Sequence, residues 1–343
     1  MENFGSWSII TTNFLLILFL ALGGVTFSAL LHLVNGKWRF QVRDLACALW
    51  VLFPVAGVLL VILLLGGENT FPWLAHAHDP DHHLSGWHNY TFLVLREVLG
   101  FVAIVALYML FIKYQRLSEI DDSYSAQRRF RNIALLIPFG YFLYGSMVAW
   151  DFEMTMIPGW HSASYGAYHF QSNFHFFLAF FTVFVFFLNR SGKLKVPVPY
   201  YVYNYMAQFM LGMTILWTYL YFTQYLIMWY GRLPFEMGRY WAMIDGLGPL
   251  WWTFLALKFI IPFCTFVFKP NRHNPTVIVA VACSIMLGTW IERYVWISGS
   301  VDPQYYHFPM TSPLDIIATA VILTGAWFAV KWSLARKGLT VGS

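Results

Sequence analysis

Charge is what this sequence has least of. Only 11% of its 343 residues are Asp, Glu, Lys or Arg, against about 25% in a soluble globular domain. That shortage excludes an ordinary water-exposed surface. Cysteine is almost as scarce. Cys47, Cys264 and Cys283 form no CxxC pair and all fall in apolar runs, so they read as small core residues and argue against a disulfide framework or an iron–sulfur cluster. Long polar stretches are missing too, so no loop is large enough to be a separate soluble domain, and no repeat stands out at short period. No basic region with a small-residue cleavage site precedes the first apolar run, which is therefore expected to direct insertion itself and not to be removed as a leader.

What is present is apolar and aromatic: 59% and 20% of the chain respectively. Runs of about 20 apolar residues, the length that crosses a hydrocarbon core of about 30 Å, recur from end to end. They predict nine spans, at 9–34, 44–66, 91–113, 133–153, 166–189, 201–230, 249–268, 276–298 and 313–335. The basic residues test that count, because Lys and Arg collect in cytoplasmic loops. Sixteen fall in alternate loops on one side and only Arg232 and Arg239 on the other, while Arg96, Lys258 and Arg293 lie inside spans. The expected fold is therefore an all-α integral membrane domain over 1–343, with nine transmembrane helices. Two four-helix bundles (9–153 and 166–298) plus one extra helix (313–335) would account for them, with an external N-terminus and a cytoplasmic C-terminus. The net charge of +5 is then the cytoplasmic loop bias, attracted by anionic lipid, and calls for no nucleic acid. The longest connections are expected outside at Gly67 to Tyr90 and Arg232 to Gly248, and inside at Lys113 to Asn132. The Asn89-Tyr90-Thr91 sequon lies too close to the membrane for glycosylation. Trp38, Trp73, Trp87, Trp160, Trp229, Trp241, Trp251 and Trp252 cluster near span ends, as an interfacial aromatic belt does. Trp217 to Tyr225 is more polar than lipid contact favours and is expected to face a partner helix or a hydrated cavity.

Ionisable groups inside spans are costly and are usually paired, wet or functional. Here they gather in the outer half. Arg96 and Glu97 lie near the outer end of span three, Asp151 and Glu153 end span four, His169 and His175 occupy the outer half of span five, and Glu292 and Arg293 the outer third of span eight. Lys258 alone sits near the bilayer middle. These nine residues are the candidates for a proton pathway or a quinone cavity; a catalytic residue in the strict sense is not identified. Fixed ion pairs between helices are the competing structural reading. Asp245 and Asp315, at helix starts, read as caps. The external loop holding His76, His78, His82 and His83 invites a metal, but the spacing matches no fixed site, so these four are weak ligands at best. Haem b would need facing histidines at matched depth, and His32 does not match His169 or His175.

These residues carry a resemblance. Asp151, Met154, Pro158, Trp160, Ser162, Tyr165, Gly166 and Tyr168 follow the order of a helix–turn–helix motif in the polysulfide-reductase-type (NrfD-like) membrane subunits. Leu31-His32-Leu33-Val34-Asn35-Gly36-Lys37-Trp38 with Val42-Arg43, Phe222 to Tyr230, and Gly288-x-Trp290-Ile291-Glu292-Arg293-Tyr294 are similar to other segments of that family. Within it the chain looks most like the F subunit of bacterial alternative complex III, with the paralogous C subunit second; Glu292-Arg293 is closer to the C version. The F subunit has ten spans, and the first has no counterpart among the nine counted here. The resemblance implies a multi-pass subunit of the bacterial cytoplasmic membrane in a quinol:electron-acceptor oxidoreductase. Its implied partners are a C-type paralogue, an iron–sulfur, molybdopterin-like peripheral subunit and c-type cytochromes, with lipid around it. Iron–sulfur clusters and haems would then belong to the partners, nothing is attached covalently here, and a quinone such as menaquinone is a possible ligand. A purely structural anchor and a stand-alone secondary transporter are the two other classes to weigh; the latter predicts inverted repeats and broken midplane helices, and neither stands out.

Overall fold

The computed structural model describes residues 4–76 and 84–340. It is all-helical, with 82% of residues in helix and no named strand among those described. Nine long helical stretches follow one another. They are α1 (Phe4–Leu33), α2 (Arg39–Leu65), α3 (Tyr90–Ile120), α4 (Tyr124–Met154) and α5 (Tyr165–Arg190), then α6 (Tyr200–Tyr230), α7 (Pro234–Phe266), α8 (Pro275–Ser298) and α9 (Pro313–Arg336). All except α6 are long and apolar enough to cross a membrane, which gives eight such helices among the described residues. The ninth stretch, α6, spans 31 residues without a single charge, but its eight tyrosines, Asn204, Gln208 and Gln224 make it the more polar one.

Local chemistry sets most of the boundaries. Side-chain oxygens of Asn89, Ser123, Asn274 and Ser312 accept from the first-turn N–H groups of α3, α4, α8 and α9, satisfying donors that have no partner inside the helix. Pro234, Pro275 and Pro313 open α7, α8 and α9, where a missing N–H costs nothing. Two expected loops turn out to be helical. The segment from Lys113 to Asn132 is the end of α3 and the start of α4, broken only at residues 121–123; its alternating charges decorate helix ends. The segment from Arg232 to Gly248 is mostly the first half of α7, which starts at Pro234 and bends at Leu247 (φ −121°, ψ 25°) ahead of Pro249. Asp245 consequently sits inside a helix and caps nothing.

The centre is α1. Its most apolar stretch is 94% buried, and it packs on α2, α4, α5, α8 and α9. Gly23 and Gly24 make this possible: a Cβ at Gly24 would stand 2.3 Å from the Ala46 carbonyl oxygen, and one at Gly23 2.4 Å from the Phe177 ring. The outward faces of α3, α6, α7 and α9 carry exposed apolar side chains such as Leu99, Val102, Ile215, Trp252, Ile317 and Trp327. A shell of that extent suits hydrocarbon, not water.

Two helices contain one wider π turn each, and both turns hold charge. At the end of α4, Trp150–Met154 closes with Thr155 N–H donating to Trp150 O over 2.8 Å. In α7 the turn is Ala256–Ile260, with Lys258 at its centre. An inserted residue re-aims side chains and is frequent at functional sites. The end of the molecule at which α4 turns into α5 is called the hairpin end below.

Candidate functional site

The two carboxylates of the π turn of α4, two residues apart, lie on opposite faces of the helix. Asp151 faces α3, where Arg96 grips it with two parallel bonds, Nε to Oδ2 at 2.7 Å and Nη2 to Oδ1 at 2.6 Å. Trp87 donates its indole N–H to the same Oδ1 at 2.7 Å, and its ring lies 4.0 Å under the guanidinium. Arg96 also donates to Trp87 O at 3.0 Å. This is a closed ionic strut between the start of α3 and the end of α4. Glu97, next to Arg96, is fully buried in the field of Asp151 and Arg96, its carboxyl set against that of Asp151 with no other hydrogen-bond partner among the described residues.

Glu153 faces the interior instead. Its Oε2 accepts from Arg293 Nη1 at 2.6 Å and from the Tyr165 hydroxyl at 2.7 Å, and His169 Nε2 lies 3.6 Å from Oε1. Arg293 Nη2 is in turn 3.3 Å from Glu292 Oε1. Glu292 collects four side-chain donors: the Tyr168 hydroxyl, Trp217 Nε1 at 2.8 Å, the Ser172 hydroxyl at 2.6 Å and the Lys258 ammonium. Lys258 also donates to Ser172 Oγ at 2.6 Å and sits 4.7 Å over the Trp217 ring. A single chain of ionic contacts therefore runs Glu153–Arg293–Glu292–Lys258 through α4, α8 and α7, flanked by α5 and α6, and all four residues are 0% exposed. Each charge is paired, which keeps the price of burying it tolerable.

The nine intramembrane candidates thus divide. Arg96, Glu97 and Asp151 form one group. Glu153, His169, Lys258, Glu292 and Arg293 form the other. His175 joins neither by a close contact: its Nε2 lies 3.4 Å from the Thr214 hydroxyl, and its Nδ1 has no partner. Gln171 Oε1 and Asn173 Oδ1 on the same helix are likewise buried without a donor. Of the weak metal candidates, His78, His82 and His83 lie outside the described residues, and His76 ends the short helical turn Pro72–His76. Asp315 corrects a simpler reading. Ser312 is the cap of α9, while the Asp315 carboxylate accepts from Ser6 at 2.9 Å and pairs with His307 at 2.8 Å, tying α9 to α1 and to the preceding loop.

Arg239, which the sequence pattern places in an external loop, is buried inside α7. Its Nη2 donates to Glu153 O at 2.9 Å, to Trp296 O at 3.0 Å and to Ser300 Oγ at 2.9 Å, and its Nη1 to Met154 O at 3.3 Å. It is the clamp on the π turn, held between the Trp160 and Trp296 rings at 4.5 and 5.0 Å. A signal was present: Met237, Tyr240 and Met243 recur at helical spacing beside it. Tyr165 and Tyr168 stand out only as members of the helix–turn–helix motif, and Ser172 and Trp296 carry no signal, because hydroxyls and indoles on apolar helices look like packing. Trp217 does meet a polar partner, as its unusually polar helix suggested.

Fold and site together define, among the described residues, an all-helical protein with eight helices long and apolar enough to cross a membrane and a buried charged core. No protein-family model and no curated protein matches the chain.

Proposed function

We propose that this chain is a nine-span integral subunit of a quinol:electron-acceptor oxidoreductase of the alternative complex III type, and that its buried ionic chain carries protons. In this reading α6 also crosses the bilayer, the hairpin end is periplasmic with the N-terminus, and the C-terminus is cytoplasmic. The membrane is the bacterial inner membrane. The redox centres and the quinol oxidation site reside in partner subunits: a C-type paralogue, an iron–sulfur peripheral subunit and c-type cytochromes.

One observation carries the reading. Four ionised side chains, none reachable by solvent, stand in series from the hairpin end toward the Lys258 turn, with each neighbouring pair in ionic contact. Holding helices together needs pairs, as Arg96 and Asp151 illustrate; it does not need a series that alternates in sign across three helices. The hydroxyls of Tyr165, Tyr168 and Ser172 lie along it as donors that also accept, so the proton steps fall to these hydroxyls, the carboxylates and Lys258, while Arg293, which does not release its proton, holds the two carboxylates in place. Uncommitted acceptors on α5, from Gln171 to His175, extend polarity further along the helix.

The anchor reading has its own support in the Arg96–Asp151 strut, so the two are separated by variant. Glu292→Gln and Lys258→Met are introduced into the assembled complex and quinol-driven proton release is followed. The expected result is normal subunit composition with proton release lost or slowed. Unchanged kinetics in both assembled variants overturn the proton role and leave an anchor.

A further inference from the structure

A cavity of about 510 Å³ opens at the hairpin end, between the α4–α5 connection, the start of α7 and the α8–α9 connection. That is within the range of small-molecule sites, roughly 300–1,000 Å³. Its walls are mainly apolar and rigid, with Trp73, Pro158, Trp160, Phe235 and Pro303 among them. Two charged residues line it, and they differ in kind. Arg239 is 4% exposed, and its Nε has no hydrogen-bond partner among the described residues. Among the described residues Arg96 and Arg293 are buried against carboxylates, whereas Arg239 meets only backbone carbonyls and a serine hydroxyl. Glu153, whose field it feels, is already held by Arg293. Asp302 is exposed and forms no ion pair among the described residues. The hydroxyl of Tyr306, which also lines this cavity, has no hydrogen-bond partner among the described residues.

We propose that this cavity binds the headgroup of a zwitterionic phospholipid, with its phosphate toward Arg239 and its ammonium toward Asp302. A buried guanidinium without a carboxylate favours an anionic oxygen, and a carboxylate on the same cavity disfavours a ligand that is anionic throughout. Apolar walls beside the two charges fit the glycerol and upper acyl carbons of an amphiphile. Cation–π packing of Arg239 on Trp160 and Trp296 fixes the guanidinium plane, so a phosphate would meet a pre-oriented donor. The site does not depend on proton conduction. Occupying it would nonetheless touch the residue that holds the Glu153 turn.

Gly238 supplies a variant that places bulk in the cavity: it lines the cavity, and a Cβ built there meets no atom within 4 Å, so the first carbon of a larger side chain enters without a clash. The full chain, purified and stripped of lipid in detergent, is titrated with dipalmitoyl phosphatidylethanolamine, dipalmitoyl phosphatidylglycerol or inorganic phosphate, and bound species are counted by native mass spectrometry. Phosphatidylethanolamine is expected to bind the wild type at least about tenfold more tightly than it binds Gly238→Leu or Asp302→Asn, the size of one lost charge-assisted contact. Thermal melting of both variants at the wild-type temperature shows that they are folded. Equal retention by Gly238→Leu and wild type overturns the site. Phosphatidylglycerol binding as tightly as phosphatidylethanolamine overturns the zwitterionic assignment, and displacement by millimolar phosphate overturns the lipid as the source of the oxyanion.

Discussion

Removing Arg293 tests whether the buried chain is held together as its geometry says. In Arg293→Met the side-chain volume is largely kept and the charge is lost. Glu153 then retains the Tyr165 hydroxyl at 2.7 Å and the His169 ring at 3.6 Å, neither of which carries a fixed positive charge. A fully buried carboxylate deprived of its cation costs about 3–5 kcal/mol. Lys258→Met is milder by construction. Glu292 keeps Arg293 at 3.3 Å together with the Tyr168 and Ser172 hydroxyls and the Trp217 indole, so the loss is closer to that of one charged hydrogen bond, about 1.5–3 kcal/mol. The order of the two effects follows from the number of donors left behind. It does not depend on the absolute values. Neutralising the stranded acid should restore much of the deficit, so Glu153→Gln/Arg293→Met should be less destabilised than the sum of its single variants by about 2 kcal/mol or more. Unfolding free energies from denaturing-detergent titration of mixed micelles, followed by tryptophan fluorescence, measure all four species. Arg293→Met within 1 kcal/mol of wild type, or additive single variants (both thresholds on the order of the usual coupling error), would refute the chain as drawn.

Three further outcomes follow from other parts of the molecule. Gly24→Ala places a methyl against the Ala46 carbonyl, where backbone cannot yield cheaply, so α1 and α2 must separate; a loss of about 1–3 kcal/mol and a lower melting temperature are expected, while Gly212→Ala, whose Cβ meets nothing, should be neutral or mildly stabilising. Arg96→Lys keeps the charge but gives up the two-pronged grip on Asp151 and the stacking on Trp87, and should cost about 1–3 kcal/mol without altering proton release from an assembled complex. His88, in the loop before α3, is bonded to Thr155 O at 2.9 Å and Ser85 Oγ at 2.9 Å; burial holds its pKa below the ordinary 6.5, against a raising contribution from the Thr155 carbonyl. The unfolded chain therefore takes up this proton first, and stability is intact above pH 6.5 and declines as pH falls from there through the lowered folded value. His88→Gln should flatten that decline in a melting series across pH; an unchanged slope would rule His88 out as its source.

Much of the fold is legible in the sequence because bilayer-length apolar runs and helix caps are local. The nine helical stretches and most of their limits follow from runs, Asn and Ser caps, and prolines at first positions. The failures share a cause. Lys113 to Asn132 and Arg232 to Gly248 were read as loops because they are polar, yet a helix end that projects beyond an apolar layer is polar and helical at once. Arg239 went missing in the second of these. The candidate residues were legible by their cost, since charge within an apolar run needs a reason. Their pairing was not. Asp151 and Glu153, two positions apart, fall on opposite faces of a helix, but which neighbour each face meets, α3 for Asp151 and α8 for Glu153, is set by packing that the sequence does not display.

The wider turn at Trp150–Met154 links the architecture to the chemistry. Its two carboxylates, two residues apart and so on opposite faces, let one helix end serve both the strut to Arg96 and the ionic chain through Arg293. Lys258 sits at the middle of the only comparable turn among the described residues, facing Glu292 at the other end of the series. Wider turns are costly to keep, and here each is fixed from outside itself: Arg239 binds the carbonyls of Glu153 and Met154, and the close approach of Gly288 to Lys258 and Leu257, where a Cβ would lie 2.7 Å from Lys258 Cγ, leaves room for the second. Arg239 and Gly288 thus belong to the site although neither lies in its ionic chain. Gly288→Ala should displace Lys258 from Glu292 while leaving every titratable group in place. Loss of proton release in that variant, with assembly intact, would locate the function in the geometry of the chain and not in its composition alone.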